Sequence, residues 1–172
     1  MQEITFDVKL KTKDLFDYTM RHTYLSVSGV FSLLISFGSL VVCLVKFRDF
    51  QISTIGVLLF IALLFPVIQP ALLYMKCRKQ VKKSKDINEK LTYHITDELI
   101  TVSQDENKAE IHWYEIRKAV YLKKAIYLYM SPVRAFIFPA DQCGGKFDEL
   151  VGLCRQFIEK YKDYEPEDEE HA

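Results

Sequence analysis

The sequence predicts a membrane-inserted helical hairpin joined to a small α+β domain, in which antiparallel strands are closed by a C-terminal helix. Two observations carry this. Residues 25–45 and 52–75 form apolar runs of 21 and 24 residues without a charged side chain, separated only by the six residues 46–51. Crossing a hydrocarbon core takes roughly 20 residues at about 1.5 Å each, so each run is long enough to span. A soluble helix of that length would show a polar stripe, and neither run has one. Beyond residue 90, short alternating runs separated by turn residues give way to a stretch of helical periodicity. Averaged over 172 residues the formal net charge is zero, which hides a segregation: apolar residues fill the two runs, and charges flank them.

At the N-terminus Ile4, Phe6, Val8 and Leu10 alternate with Thr5, Asp7, Lys9 and Lys11, the period of a half-buried strand. Thr12, Lys13 and Asp14 can cap a helix, and residues 14–24 bring Leu15, Phe16, Tyr18 and Tyr24 among charges, as an interfacial helix would. A cleaved signal sequence is not expected, because 24 residues of mixed charge precede the first run. In that run Ser28, Gly29, Ser32, Ser36 and Ser39 recur at three- and four-residue intervals. Small side chains let helices approach closely in lipid, so this face is expected to pack on the second span or on a partner helix. The second run contains Pro66 and Pro70 with Gln69 between them. Each proline lacks a backbone donor, so a kink is expected there, with the carbonyls of Ala62 and Pro66 freed and Gln69 available to satisfy them.

The organisation expected is therefore an N-terminal strand and interfacial helix (1–24), a transmembrane hairpin (25–75), a basic juxtamembrane connector (76–90), a C-terminal domain (91–162) and an acidic disordered tail (163–172) with six acidic residues in ten. Strand-like runs fall at 91–95, 99–103, 109–113, 117–122, 125–130 and 135–138, with turn chemistry at 96–98, 104–107, 123–124 and 131–132. Tyr127 and Tyr129 alternate with Ile126, Leu128 and Met130, predicting a strand with two unlike faces. Gly144 and Gly145 precede a helix whose Phe147, Leu150, Val151, Cys154, Phe157, Ile158 and Tyr161 form one apolar stripe. Six strands followed by a helix resemble the pleckstrin-homology-like architecture, a bent antiparallel sheet capped by a C-terminal helix. That fold has seven strands, so residues 4–10 are expected to join the sheet, with the hairpin inserted into one domain.

Orientation follows from Lys and Arg near the span ends. Lys76, Arg78, Lys79, Lys82, Lys83 and Lys85 follow the second span, and Lys9, Lys11, Lys13 and Arg21 precede the first, against Lys46 and Arg48 between them. Both termini are expected in the cytoplasm of a two-span protein of the cell membrane. Cys43, Cys77, Cys143 and Cys154 show no CxxC spacing and suit a reducing compartment.

Four segments carry a resemblance to a known family: Tyr93-His94-Ile95-Thr96-Asp97-Glu98-Leu99-Ile100, Ile111-His112-Trp113-Tyr114-Glu115-Ile116, Ala125-Ile126-Tyr127-Leu128-Tyr129 and Phe136-Ile137-Phe138-Pro139. With the two spans before them, they make the chain similar to the YcxB-like family of small bacterial membrane proteins. Phe138 and Ala140 flank the proline where the family tends to show an aliphatic and a basic residue. The resemblance implies an architecture and assigns no reaction.

No phosphate-cradling glycine loop, HExxH, GxSxG or metal-ligand spacing occurs, and His22, His94, His112 and His171 are scattered. His112 beside Trp113 reads as a sheet histidine. The spans hold no charge on which an ion pathway could be built. A non-enzymatic protein is expected, without cofactor, metal or nucleic-acid partner. The six cations at 76–85 would attract anionic lipid at about 1 kcal/mol each near the surface, or serve only as the topology signal. Arg117, Lys118, Lys123 and Lys124 around a hairpin form a candidate partner surface. The expected role is binding or scaffolding of a protein or lipid partner at a bacterial inner membrane, immunity and stress protection included. The alternative is an accessory or homo-oligomeric component of a transport system.

Overall fold

The computed structural model describes residues 3–84, 89–104, 107–132 and 134–161. Lys85, Asp105, Glu106, His171 and the acidic tail at 163–172 lie outside them. The chain forms two units, one made of Met1–Lys11 with Ser84–Ala172 and the other of Thr12–Lys83.

The second unit is helical. It comprises α1 (Thr12–Tyr24), α2 (Val27–Val45), α3 (Ile52–Leu63), a π-helical turn (Leu64–Ile68) and α4 (Gln69–Lys83). Ser26 separates α1 from α2: its hydroxyl accepts from the Gly29 N–H at 3.0 Å and donates to the Thr23 carbonyl at 2.7 Å. That corner is tight, since a Cβ on Gly29 would overlap the Thr23 carbonyl. Two stretches are long and apolar enough to cross a membrane, Val27–Val45 and the continuous helix Ile52–Lys83. Only 17% and 11% of their apolar windows are buried, unlike the core helix of a soluble protein. Phe31, Leu34, Ile35, Phe37, Val57 and Phe60 all point outward.

The prolines act through the π turn. In a regular α-helix the Phe65 carbonyl would accept from the N–H of Gln69, but that N–H turns to Leu64. The next residue is Pro70, which has no N–H. Tyr24 of α1 supplies the donor, its hydroxyl reaching the Phe65 carbonyl at 2.5 Å. One turn earlier, Ser36 of α2 donates to the Ile61 carbonyl at 3.2 Å. Side chains therefore reach the carbonyls of Phe65 and Ile61, where a plain proline kink places the freed groups at Ala62 and Pro66. The structure also corrects the connector expected at 76–90: α4 continues to Lys83. Lys, Arg and Gln are good helix formers, and Lys82 and Lys83 in the last turn oppose the negative end of the helix dipole.

The other unit contains two antiparallel sheets and a C-terminal helix. The first sheet has the order β1 (Ile4–Val8), β2 (Leu91–Ile95), β3 (Leu99–Gln104), β4 (Asn107–His112); the second has the order β5 (Lys118–Tyr121), β6 (Ala125–Tyr129), β7 (Ala135–Pro139). α5 (Phe147–Lys160) follows two left-handed glycines, Gly144 and Gly145, at φ +60° and +79°. β1 pairs with β2 in the register Ile4 to Ile95 through Val8 to Leu91. The arm expected at 1–24 is thus divided: its strand belongs to the sheets and its helix to the helical unit. Lys9 and Lys11 tie the end of β1 to the 3-10 turn Ala140–Gln142, through the Gln142 side chain and the Asp141 carboxylate, both at 2.7 Å.

The core follows from strand alternation. Ile4, Phe6 and Val8 meet Tyr93, Ile95, Ile100, Ile111, Ile126, Leu128 and Phe138, with Phe6, Tyr93 and Phe138 forming a ring cluster at centroid distances of 4.9 to 5.7 Å. Leu150, Leu153, Cys154 and Phe157 of α5 complete it. Leu153, absent from the predicted stripe, lies between Leu150 and Cys154 on the same face. Trp113 packs on Phe157 at 5.2 Å and donates its indole N–H to the Thr96 carbonyl at 2.9 Å. Along β6 the two faces differ as expected, Ile126 and Leu128 lying in the core cluster and Ala125 and Tyr127 outside it, but all four residues are buried.

Candidate functional site

Lys76, Arg78, Lys79, Lys82 and Lys83 are all exposed on α4, while Leu73 and Cys77 are buried on its other side. At 100° per residue the five cations occupy one half of the helix surface and Leu73 and Cys77 the other. The buried half packs on α1: Cys77 Sγ lies 3.7 Å from Thr19 Oγ1, and Tyr74 meets Phe16 edge-on at 5.5 Å. A helix 32 residues long measures about 48 Å, more than the roughly 30 Å of hydrocarbon, so its cationic end has length to spare beyond the apolar part.

The small-residue face of α2 is partly gathered. Gly29 and Ser36 are buried with Cys43 against the helical pair, Ser32 and Ser39 are half-buried, and Ser28 is exposed, its carbonyl accepting from the Ser32 hydroxyl at 2.9 Å. Ser28 lies about 100° from Gly29 around the helix, which turns it outward.

The cations around the β5–β6 hairpin are not brought together. Lys123 and Lys124 form its exposed turn, closed by Leu122 N–H to the Ala125 carbonyl at 2.9 Å. Arg117 and Lys118 stand at the other end, where the Arg117 N–H meets the Tyr129 carbonyl at 2.8 Å. Strand rise places the two pairs about 17 Å apart. Two separate surfaces result.

Arg117 has a companion that sequence reasoning missed. The turn from β6 to β7 is closed by Met130 N–H and Ser131 N–H to the Arg134 carbonyl at 3.0 and 3.3 Å, and by Arg134 N–H to Ser131 Oγ at 3.1 Å. It returns Arg134 to the end of β6 beside which Arg117 sits. Together with Tyr114, Glu115, Met130 and Ser131 the two arginines line an open cleft of about 330 Å³. Register alone could have paired them, because Arg117 precedes the partner of Tyr129 and Arg134 precedes the other partner, Ala135.

A second, wider cleft of about 500 Å³ lies between β5 and α5, lined by Ala119, Tyr121, Arg155, Gln156, Ile158 and Glu159. The Arg155 guanidinium covers the Tyr121 ring at 4.9 Å. Burial, with the nearby Cys154, pushes the Tyr121 phenol up to about 12, against the opposing pull of Arg155.

The histidines and thiols occupy structural places. His94 on β2 bonds Thr5 Oγ1 through Nδ1 at 2.8 Å, with Glu3 at 3.5 Å from Nε2. His112 stacks on Tyr114 at 5.1 Å, and its backbone N–H is capped by Glu115 at 2.9 Å. The Cys143 thiol donates to the Pro139 carbonyl at 3.2 Å. Burial and the Asp141 carboxylate push Cys143 up to about 11, and burial with Cys143 nearby pushes Cys154 up to about 12. Among the described residues, no three His, Cys, Asp or Glu side chains are grouped as a metal site requires.

Residues 95–153, from the end of β2 into α5, match the model of the family described as YcxB-like protein. The chain carries a YcxB-like domain. With the two apolar helices it fits a small membrane protein. The match covers most of the two-sheet unit and leaves out β1 and the helical pair, so the YcxB-like region and the candidate spans are adjoining parts of one chain. No curated protein matches the sequence. Among solved structures, the complex of the FERM and C-terminal domains of Drosophila Merlin aligns with a TM-score of 0.35 and 14% identity, over 89% of this chain and 66% of that one. The chain thus spans just under two thirds of the length of that structure.

Proposed function

We propose that the protein is a non-enzymatic adaptor: its hairpin crosses the inner membrane of a bacterium, and its YcxB-like domain holds a partner at the cytoplasmic face. The observation that carries this reading is the pairing of β1 with β2. Ile4–Val8 precedes both apolar helices and Leu91–Ile95 follows them, yet the two share a sheet. Backbone ladders do not form through lipid, so two helices that cross a bilayer must begin and end on the same side of it. The exposed cations of α4 favour the cytoplasmic side, where Lys and Arg accumulate and anionic headgroups attract them. The domain itself reads as pleckstrin-homology-like: four strands, then three, then a capping helix, with the hairpin occupying the first inter-strand connection.

Two polypeptide connections, after Lys11 and before Ser84, tether the sheets to the helices. Chemical crosslinking in native membranes, followed by detergent extraction and mass measurement, tests the reading. Capture of one distinct protein by a monomer supports it. A ring of identical chains that conducts ions or solute in liposomes overturns it in favour of transport. Reporter fusions placing either terminus outside the cell overturn the topology on which it rests.

A further inference from the structure

We propose that the cleft between Arg117 and Arg134 is a binding site for a phosphate monoester that carries a hydroxyl group beside the phosphate. The inference is independent of the adaptor reading and of any protein partner.

Arg117 and Arg134 both line one cleft, and among the described residues neither makes an ion pair with a carboxylate. The backbone of each arginine is fixed: Arg117 by its bond to Tyr129, Arg134 by its bonds to Met130 and Ser131. Their placement is therefore set by the end of the second sheet, leaving the side chains to converge on a ligand. Two planar forks drawn from residues of one cleft can match the oxygens of a phosphate, which accepts paired N–H bonds from each. Glu115 is the single acid in the cleft, and one of its oxygens is spent on the His112 N–H. The other oxygen repels a second phosphate and accepts a hydroxyl, which selects a ligand with a donor next to its anion. Tyr114 and Met130 supply an apolar wall. A volume of about 330 Å³ stands at the small end of the ~300–1,000 Å³ that ligand sites occupy. It suits a group of the size of glycerol phosphate, either as a soluble metabolite or as the headgroup of a lysophosphatidic acid, whose glycerol keeps a free hydroxyl.

The test uses the full chain in phosphatidylcholine nanodiscs, titrated calorimetrically with glycerol 3-phosphate. Saturable one-to-one binding is expected. Each guanidinium contributes charge-assisted hydrogen bonds, so Arg117→Gln and Arg134→Gln should each weaken binding about tenfold or more. Lys123→Gln with Lys124→Gln removes the same charge from the far end of the hairpin and should change affinity less than about twofold. Arg117→Lys with Arg134→Lys keeps the charge, loses the forks, and should fall between. Unchanged melting of each variant certifies its fold. Discs containing lysophosphatidic acid separate the two sources: if the lipid headgroup reaches the cleft, they weaken glycerol 3-phosphate binding, and in the Arg117→Gln/Arg134→Gln variant they do not. If composition has no effect, the ligand is soluble. No saturable binding of glycerol 3-phosphate in phosphatidylcholine discs, or equal losses in the cleft and turn variants, overturns the proposal.

Discussion

Single side chains show how little of the polar chemistry here is idle. The Asp7 carboxylate on β1 takes a hydrogen bond from Lys90 at 2.7 Å and another from Thr92 at 2.7 Å, and these two donors hold its pKa below the usual carboxylate range. A carboxylate lowered on folding adds stability above its unfolded pKa, near 4, and loses it as pH falls through the folded value. Asp7→Asn is therefore expected to destabilise the sheets slightly at neutral pH and to be indistinguishable from wild type well below pH 4, as read by melting across a pH series. The effect is small because 44% of the Asp7 side chain is exposed. The thiols behave oppositely. Cys143 and Cys154 are buried, and their raised pKa values keep them neutral. Below the ordinary thiol range this protection is complete, and it is lost as pH rises toward 11 and 12. Iodoacetamide at pH 7 should leave both unmodified in the folded protein and label both on denaturation; mass spectrometry of the tryptic peptides checks this. Lys90 and Thr92 could be matched to Asp7 only once the β1–β2 register was known, since 83 positions separate Asp7 from Lys90.

At the scale of elements, the proline-bearing helix is the place where sequence and structure diverge most usefully. Pro66 and Pro70 announce an interruption, and the π turn at Leu64–Ile68 is its form. What the sequence withheld was the partner. Tyr24 reads as an interfacial tyrosine, and nothing local links it to Phe65, 41 residues away. The prediction is a coupling. Tyr24→Phe should cost about 0.6 kcal/mol, the average for hydrogen bonds between membrane helices, and at most about 1.7 kcal/mol. In a Pro70→Ala background, where residue 70 regains an N–H for the Phe65 carbonyl, the same change should cost less. A double-mutant cycle by reversible unfolding in mixed micelles measures the difference, and additive effects would deny the tyrosine this role. The strands of the domain were legible because turn residues punctuate them. Alternation of Ile and Leu with Tyr marks the two faces of β6 but not their burial, since Tyr127 is only 3% exposed. The Arg117–Arg134 pairing escaped notice for a different reason: it depends on two registers at once.

For the whole molecule, the decisive contact is non-local. Ile4, Phe6 and Val8 are nearly fully buried in the sheets they join. Each such side chain is worth about 1.5–3 kcal/mol, so deleting residues 1–11 should remove a large share of the roughly 5–15 kcal/mol that holds a domain together. Melting of the truncated protein, followed by near-ultraviolet circular dichroism of Trp113, is expected to shift to much lower temperature; an unchanged transition would deny β1 a part in the fold. The alternation at 4–10 gave the strand, and its partner came from counting strands against a known architecture. Which surfaces meet a ligand was not written in any one segment. The pairing also sets an order of birth. Ile4–Val8 leaves the ribosome 82 residues (9–90) ahead of the segment it must meet, a wait of roughly 4–16 s at about 5–20 residues per second. Both long apolar helices are made in that interval. The first piece synthesised is among the last to be seated, and until Leu91–Ile95 emerges Ile4, Phe6 and Val8 have no sheet in which to be buried.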